Sequence, residues 1–485
     1  MMKKCCLINY VLIMLLFLIS IVSCTAQEKE IPITSNSKKA IEKFKEGRDL
    51  SENTEYEMAR RTLDEALSLD PEFALAYLYR SLYGSNYNDQ MNHLENAMKY
   101  ISKVSESEKD LIIMYKAMYD SNEAVMWEKL DKLLELYPSN KRINSIAGDL
   151  NRFWNKDEDA LMYYNLVVGM DNKFVPAIEG MGYVFMNMEQ YDNAADWFKK
   201  LMEIRPDLAS PYNSYANALI QQEQFDEAIV YYKKAMEKDE FFYYPIRRIA
   251  NIYVNQKNYN EARKYFRQYV EVATQFNSKY LAFLNIANTY LYEDDKENAL
   301  KAFDEYIQLA VQNNMPYYEI WGNIYQGYII TCCGDPKEGL KYYEKVLTMI
   351  DESDLNEEQK HEHRINVSMM KSNAYIESED FQNSEKELEN CKILVANLES
   401  TFLNDMIDVI SSYQDIKQNN YEAALSKLNN VKSKHVLITY YSALAYDLKG
   451  DKEQAKNYYS KLINNKESNL NIALRYKEIE EKLAE

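Results

Sequence analysis

Two pairs of side chains have types and spacing that suggest metal or redox chemistry. His361 and His363 are two positions apart, and Cys332 and Cys333 are adjacent. Imidazoles at i and i+2 diverge on a helix, and no third ligand stands at a readable spacing, so we expect a solvated helix and no metal site. For the cysteines, a strained vicinal disulfide is the alternative to two small buried hydrophobic residues, and we expect the latter.

The chain lacks the sequence signatures of the common enzyme classes. It has no phosphate-binding glycine loop, no H-E-x-x-H, no G-x-S-x-G and no kinase set. Only four histidines are present, so general acid–base chemistry has few candidate groups. The sequence therefore predicts a protein that is not an enzyme and that uses no cofactor.

Cys24 is the residue whose context predicts a covalent modification. A Met-Met-Lys-Lys start is followed by an apolar run over residues 7–22, and the small residue Ser23 stands before the cysteine. The run is short for a spanning helix and resembles the signal of bacterial lipoproteins, whose cysteine becomes an acylated N-terminus. We expect residues 1–23 to be a signal peptide and Cys24 to carry acyl chains. An uncleaved anchor and ordinary secretion are the alternatives.

The residues after the cysteine bear on the destination of the protein. Neither Thr25 nor Ala26 is the aspartate that retains proteobacterial lipoproteins in the inner membrane, and the acidic, lysine-containing stretch 25–30 resembles the export signal of Bacteroidetes lipoproteins. We expect a lipid-anchored protein of a bacterial cell envelope, at the outer membrane, with the periplasmic or surface face left open. Residues 24–37 are predicted to be a flexible polar tether. The formal net charge of −19 opposes binding to nucleic acid.

An internal repeat supplies the elements that must position any binding residue. Ala194, Ala228 and Ala262 are 34 residues apart, and each stands four residues before a large aromatic residue. Apolar residues recur at three and four positions, which is typical of helices. In other units a small residue stands twelve positions before a second small residue. These pairs are Gly47 with Ala59, Gly148 with Ala160, Ala216 with Ala228, Ala250 with Ala262, Ala287 with Ala299, Gly327 with Gly339, Ser412 with Ala424 and Ala443 with Ala455.

The unit resembles the tetratricopeptide repeat (TPR), most clearly over residues 175–206. There Gly182, Ala194, Phe198 and Pro206 follow the family pattern of a small residue, an alanine, an aromatic residue and a closing proline. Small residues let the two helices of a unit cross closely, and the aromatic residues fill the gap to the next unit.

The resemblance implies an all-α fold with little room for a separate catalytic domain. We expect a TPR-type solenoid of helical hairpins, a right-handed superhelix, over residues 38–465, with about eleven to twelve repeats. The stretch Asn469 to Leu483 is amphipathic. It predicts a helix that caps the exposed end of the solenoid within residues 466–485.

In the tetratricopeptide family, the first helices of successive units line a concave groove that takes extended peptides or helices. Asparagine offers both a donor and an acceptor, so a ladder of asparagines can hold a peptide backbone without reading side chains. A comparable ladder lines the repeat region of O-GlcNAc transferase. In the register set by Ala228, Ala262 and Ala299, the predicted partner-binding groove consists of Asn213, Asn217, Arg247, Asn251, Asn285, Asn288, Trp321 and Tyr325.

Other interpretations of this groove stay open. Arg247, Asn251 and Asn285 occupy three of the five positions of the carboxylate clamp that holds C-terminal peptides of chaperones, but the two aromatic residues stand where the second pair of cations belongs. Together with Tyr328, those aromatic residues would instead form a wall for an apolar side chain or a sugar. The chain is also rich in asparagine and tyrosine everywhere, which allows the interpretation that these residues share no role.

Two classes of function follow from the sequence. The first is a membrane-anchored scaffold for protein–protein interactions, whose groove binds a peptide or helix of a partner. The second is a ligand-binding lipoprotein for glycans or peptides, similar to the SusD-like nutrient-uptake lipoproteins, which embed such repeats among long irregular loops. The absence of such loops favours the scaffold. The expected partners are a protein or peptide segment and a membrane, reached through the lipid anchor, with neither nucleic acid nor metal.

Overall fold

The computed structural model describes residues 29–84, 87–239, 241–398, 400–463 and 469–485. The predicted signal peptide and Cys24 lie outside these residues. The described residues contain 26 α-helices, one 3-10 turn at Ile101–Lys103 and no strand, so the predicted all-α fold is confirmed. None of these helices combines the length and the apolar character needed to cross a bilayer.

The chain divides into two compact units, Met1–Pro245 and Ile246–Glu485. The helices are numbered in chain order. They are α1 (Lys38–Glu52), α2 (Tyr56–Leu69), α3 (Ala74–Leu82), α4 (Tyr87–Lys99), α5 (Glu106–Tyr119), α6 (Glu123–Leu136), α7 (Lys141–Phe153), α8 (Asp157–Met170), α9 (Val175–Asn187), α10 (Tyr191–Ile204), α11 (Ser210–Gln221), α12 (Phe225–Lys238), α13 (Tyr244–Asn255), α14 (Tyr259–Val272), α15 (Phe276–Tyr292), α16 (Lys296–Gln312), α17 (Pro316–Cys333), α18 (Pro336–Glu352), α19 (Glu357–Glu377), α20 (Phe381–Val395), α21 (Thr401–Lys417), α22 (Tyr421–Asn430), α23 (Val436–Lys449), α24 (Lys452–Ile463), α25 (Leu470–Ala473) and α26 (Tyr476–Ala484).

Helices α1 to α24 follow one another as twelve hairpins, each made of an odd-numbered first helix and an even-numbered second helix. This number agrees with the eleven to twelve units expected from the sequence. Within a hairpin, a large residue on the second helix stands sixteen positions after the small residue on the first helix and fills the space beside it. These large residues, each at most 2% exposed, are Leu63, Tyr164, Phe198, Tyr232, Phe266, Phe303, Tyr343, Leu428 and Tyr459.

Most first helices end in a turn with one left-handed residue. Glu189 and Glu223 have φ of 59°, and the next residue donates its backbone N–H to a carbonyl five positions earlier, as in Gln190 N to Phe185 O at 2.8 Å. This is the Schellman arrangement that satisfies the last carbonyls of a helix. Ser121, Asn155 and Lys257 continue the same series at intervals of 34 residues, each with φ of 56°.

Residues 29–37 are the described part of the predicted flexible tether, and they lie along the first unit. The backbone N–H and the hydroxyl of Thr34 donate to the buried Glu108 at 2.8 and 2.6 Å. The described part of the predicted tether is therefore bound to the repeats. Further contacts are Ser35 Oγ to Asp70 at 2.5 Å, Asn140 Nδ2 to Lys29 O at 3.0 Å and Arg142 Nη1 to Glu30 Oε1 at 2.7 Å.

Residues 469–485, which we call the C-terminal segment, form two short helices where the sequence predicts one. Helix α26 packs against α24, as a cap does, but α25 and α26 also contact α15, and α25 contacts α23. Ion pairs hold α26 to the turn before α14 and to the turn after α15, with Lys257 Nζ 2.6 Å from Glu480 and Lys477 Nζ 2.6 Å from Asp294. The segment therefore lies across several first helices of the second unit.

Candidate functional site

The first helices share one face whose residues can be counted from the small packing residue. The polar residues predicted at Asn213 and Asn217 stand three positions before and one position after Ala216. Because successive hairpins repeat the same packing, residues at these two positions lie on equivalent faces of neighbouring first helices. In the two preceding repeats the equivalent residues are Ser145 and Asp149 around Gly148, and Glu179 and Tyr183 around Gly182.

These four residues line a pocket of about 270 Å³ in the first unit, which we call the tyrosine pocket. Its wall is built from the first helices α1, α3, α5, α7 and α9 and from the turn after α1. The sequence did not reveal this pocket, although extending the register of Asn213 and Asn217 by one and two repeats toward the N-terminus reaches its carboxylates, Glu179 and Asp149. The other polar and aromatic lining residues are Ser51, Glu52, Thr54, Tyr56, Tyr79, Tyr83, Tyr115, Arg142, Arg152 and Phe174.

Tyrosine rings form one side of the pocket. Tyr56 is 46% exposed and stacks on Tyr83, with ring centroids 5.2 Å apart and planes 17° apart. Burial raises the pKa of Tyr79 to about 12 and the pKa of Tyr115 well above its usual value. The phenols are thus neutral at physiological pH, and they offer apolar faces together with hydroxyl groups that donate or accept.

Two carboxylates form the floor. Asp149 accepts a hydrogen bond from the Tyr164 hydroxyl at 2.6 Å, and the half-buried Glu179 accepts one from Ser214 Oγ at 3.1 Å. Partial desolvation by the surrounding protein raises the pKa of both carboxyl groups, although Asp149 as a residue stays exposed. The hydrogen bonds from Tyr164 and Ser214 and the charge of Arg152 offset this effect only in part. Glu179 forms no salt bridge within the described residues, and the cation that acts on its pKa is Arg152. Perturbed carboxyls in a cleft are a common mark of a functional site.

Two arginines complete the lining. Arg142 is engaged already, since its Nε lies 2.5 Å from Glu52 and its Nη1 lies 2.7 Å from Glu30. Arg152 lies over the ring of Tyr183, 5.7 Å from the centroid, and its buried Nε has no hydrogen-bond partner in the described residues. The hydroxyl of the nearby Ser145, a residue only 4% exposed, also lacks a partner there. The pocket thus contains polar atoms that a ligand would satisfy.

The predicted groove residues of the first unit continue this face on α11. Asn213 and Asn217 are half-buried. Asn217 Oδ1 accepts a hydrogen bond from the Tyr232 hydroxyl at 2.7 Å, the same contact that Asp149 makes with Tyr164 two repeats earlier. An asparagine stands here in place of the aspartate, so this position on α11 carries no negative charge.

The predicted polar residues of the second unit differ in exposure. Arg247 and Asn251 on α13 are half-buried, whereas Asn285 and Asn288 on α15 are 5% and 1% exposed. Asn285 donates to the carbonyl of Leu281 in its own helix at 2.7 Å. Helix α15 is one of the helices that the C-terminal segment contacts. The α15 part of the predicted ladder is therefore covered in this structure.

The predicted aromatic residues of α17 belong to an aromatic cluster inside the second unit. Trp321 and Tyr325 are stacked with centroids 5.4 Å apart, and Tyr325 accepts a hydrogen bond from the Tyr280 hydroxyl at 2.8 Å. His363 is completely buried beside Trp321 and Tyr317, at 5.5 and 4.7 Å between ring centroids, and burial lowers its pKa to about 4. The histidine is neutral and structural here.

The remaining chemical candidates are separated by the fold. His361 Nε2 lies 2.8 Å from the carbonyl oxygen of Leu394, so this imidazole is used to join two helices. Both thiols of the adjacent cysteine pair are free, and the expectation that both are buried is wrong for Cys333, which is exposed at the end of α17. Cys332 is half-buried, and burial raises the pKa of its thiol to about 11. A thiol with a raised pKa is a poor nucleophile.

The inner face of the second unit holds an arginine of the chain itself. Arg475, in the C-terminal segment, is 7% exposed, and its guanidinium lies 4.9 Å from the centroid of the Tyr440 ring and 3.4 Å from the Tyr328 hydroxyl. Tyr328 follows the small residue Gly327, and Tyr440 stands three positions before Ala443, so both occupy the inner-face positions defined above. We call this arrangement the Arg475 seat.

Comparison with known proteins agrees with the repeat. Residues 176–208, 219–285 and 439–465 match family models described as tetratricopeptide repeat. Similar solved structures include YrrB, a TPR protein with an unusual peptide-binding site, at 23% identity over 38% of this chain and 94% of that chain, with a TM-score of 0.29.

Two further structures are similar to this chain. A tetratricopeptide repeat protein from Parabacteroides merdae shares 12% identity over 57% of this chain and 99% of its own, with a TM-score of 0.35. The C-terminal part of a TPR repeat-containing protein from Cytophaga hutchinsonii shares 16% identity over 54% and 98%, with a TM-score of 0.37. No curated protein sequence matches the chain.

Proposed function

We propose that this chain is a scaffold for protein–protein interactions, that it is anchored through acylated Cys24 to the outer membrane of a bacterial envelope, and that the tyrosine pocket binds a segment of a partner protein. The observation that carries the binding proposal is the pocket itself. It combines stacked tyrosine rings, two carboxyl groups with raised pKa and two polar atoms without a partner. Tyrosine and arginine are the residues that dominate protein interfaces.

A site-specific photocrosslinker tests this binding site. A benzophenone amino acid replaces Tyr83 in the pocket and, as the control, Tyr87, which is 65% exposed and lies on the second helix α4 outside the pocket. Irradiation of native membranes should yield one stoichiometric protein adduct from position 83 and none from position 87. Equal adducts from both positions, or none from position 83, would contradict a partner in the pocket.

The anchor has its own test. Replacing Cys24 by serine should abolish metabolic labelling with palmitate and move the protein from the membrane to the soluble fraction, because multiple acyl chains are needed for stable anchoring. Density-gradient separation of the membranes of cells with the unaltered chain should place the protein with outer-membrane markers. A Cys24→Ser protein that stays on the membrane would show that another segment anchors it.

The second candidate function is ligand binding in a nutrient-uptake system. The stacked, partly exposed pair Tyr56 and Tyr83 favours it, since such a flat aromatic surface can stack on a sugar ring. Binding of residues 29–485 to a glycan array, lost on replacing Tyr56 by alanine, would establish this function. Absence of glycan binding together with the protein adduct described above would establish the scaffold.

A further inference from the structure

We propose that the tyrosine pocket takes the guanidinium side chain of an arginine in an extended segment of the partner. This inference rests on the proposed function and specifies the chemistry of the partner. Three observations carry it: the charge balance of the lining, the positions of two donors without acceptors, and the way in which the second unit holds Arg475.

The charge balance favours a cationic occupant. The lining contains three carboxylates, Glu52, Asp149 and Glu179, and two guanidinium groups, Arg142 and Arg152. Glu52 pairs with Arg142, which leaves two carboxylates, Asp149 and Glu179, beside one guanidinium, Arg152. One added positive charge balances the pocket, whereas an acidic occupant adds repulsion.

Arginine fits better than lysine because the walls are aromatic. A planar guanidinium stacks on a tyrosine ring while its N–H groups hydrogen-bond a carboxylate in the same plane. Glu179 lies on α9 at the pocket floor, and Tyr83 and Tyr183 line the same pocket. A volume of about 270 Å³ is at the lower end of small-molecule sites, so it suits one long side chain better than a whole helix.

Two pocket donors without an acceptor would hold the backbone of the partner segment. Ser145 Oγ and Arg152 Nε are buried donors of α7 that line the pocket without an acceptor in the described residues. Carbonyl oxygens of an extended peptide are the acceptors that they lack. A free amine or metal ion would leave these donors unsatisfied, whereas an arginine-containing peptide satisfies both the donors and the carboxylates.

The Arg475 seat is the precedent within the same chain. There, an arginine on a short segment lies against tyrosines at the inner-face positions of first helices, with its guanidinium over one ring. Its neighbours Leu470, Ile472 and Tyr476 are buried at the same time. At the corresponding positions of the first unit, Tyr183 provides a tyrosine, and Asp149 and Glu179 provide carboxylates.

The chain's own segment supplies a probe. We suggest a decapeptide with the sequence of residues 469–478, capped at both ends, and a second peptide in which the arginine is replaced by citrulline, which has the same shape and no charge. Binding to the full-length protein in detergent is measured by isothermal titration calorimetry. The arginine peptide should bind at least tenfold more tightly than the citrulline peptide. Equal affinity for the two peptides would overturn the proposal.

Two variants assign that binding to the pocket. Glu179→Gln removes the unpaired carboxylate with little change of shape and should weaken the arginine peptide at least tenfold while leaving the citrulline peptide unchanged. Glu203→Gln, an exposed glutamate of α10 outside the pocket, should have no effect. Thermal unfolding followed by circular dichroism verifies that both variants are folded. Unchanged arginine-peptide binding by folded Glu179→Gln would refute the assignment, even if the peptide binds elsewhere.

The outcomes separate this inference from the proposed function. If the crosslinked partner is recovered equally by the unaltered chain and by Glu179→Gln, the scaffold stands and the guanidinium inference fails. If no partner is recovered from position 83 but the peptides discriminate as expected, the pocket chemistry stands and the scaffold proposal fails.

Discussion

The ring of Phe198 fills the space that a side chain on Gly182 would need, since a Cβ there would lie 2.3 Å from the ring. The same relationship joins Gly148 to Tyr164 at 2.6 Å and Gly327 to Tyr343 at 2.7 Å. In these first helices the small residue is therefore required by the large residue sixteen positions later. This contact, repeated from hairpin to hairpin, keeps the inner faces of the first helices in register.

Replacing Gly182 by alanine should destabilise the protein, although alanine is the better helix former. Overpacking of this kind costs about 1–3 kcal/mol, which exceeds the gain of about 1 kcal/mol from removing a glycine inside a helix. Gly169→Ala is the matched control, because nothing lies within 4 Å of its added Cβ. Urea unfolding should show a lower midpoint for Gly182→Ala and an unchanged or higher one for Gly169→Ala. Equal shifts for both would contradict the packing rule.

Replacing Glu179 by glutamine should stabilise the first unit at pH 8. Burial raises the pKa of this carboxyl, so the folded state binds the proton more tightly than the unfolded chain does. The ionised carboxylate therefore costs stability above its folded pKa, and that cost disappears as the pH falls through it. The stabilisation by Glu179→Gln in urea unfolding should shrink between pH 8 and pH 4. A glutamine variant less stable than the unaltered chain at pH 8 would show that Glu179 is a structural residue.

His363 should make the second unit sensitive to acid. Its folded pKa of about 4 lies below the ordinary value of 6.5, so the unfolded chain takes up the proton first as the pH falls. The stability contributed by the neutral, buried imidazole is complete above pH 6.5 and is lost toward pH 4, by about 3 kcal/mol in total. His363→Phe keeps an aromatic ring beside Trp321 and should flatten this dependence in urea unfolding between pH 7.5 and 4.5. An unchanged slope would exclude His363 as its source.

Deleting the C-terminal segment should uncover the inner face of the second unit. Amide hydrogen exchange should accelerate in α15 and α23, which the segment contacts, and remain unchanged in α9 of the first unit. A synthetic peptide of residues 469–485 should restore protection when added to the deleted protein. The same peptide with Arg475 replaced by glutamine should restore less of it. Unchanged exchange in α15 after the deletion would mean that the segment covers nothing.

The fold was predictable because its signal is periodic. The spacing of Ala194, Ala228 and Ala262 reflects a packing requirement that recurs in successive hairpins. The same sequence signal therefore occurs many times in one chain. The left-handed turns were not predictable in the same way, although they share the period of 34 residues. Their residues, among them Glu189, Glu223 and Lys257, have only polarity in common, and glycine occurs at this conformation only at Gly450 in the described residues.

The candidate site was predictable only in part, because it depends on which repeats carry charge. The inner-face register identified for Asn213 and Asn217 is the one that places Asp149 and Glu179 in the tyrosine pocket. Sequence alone does not tell which stretch of that face is open. Asn285 and Asn288 have suitable types but are buried in a unit whose inner face is covered by residues nearly 200 positions later in the chain.

The hydrogen bonds between residues 29–37 and the first unit limit how far this unit would lie from a membrane. With Cys24 acylated, only five residue steps, at most about 18 Å of extended chain, separate the bilayer from Lys29. Lys29 is bonded to Asn140 at the start of the fourth hairpin, and the next residue pairs with Arg142, which lines the tyrosine pocket. Under the anchoring proposed above, this short connection would hold Arg142 and the tyrosine pocket close to the lipid surface.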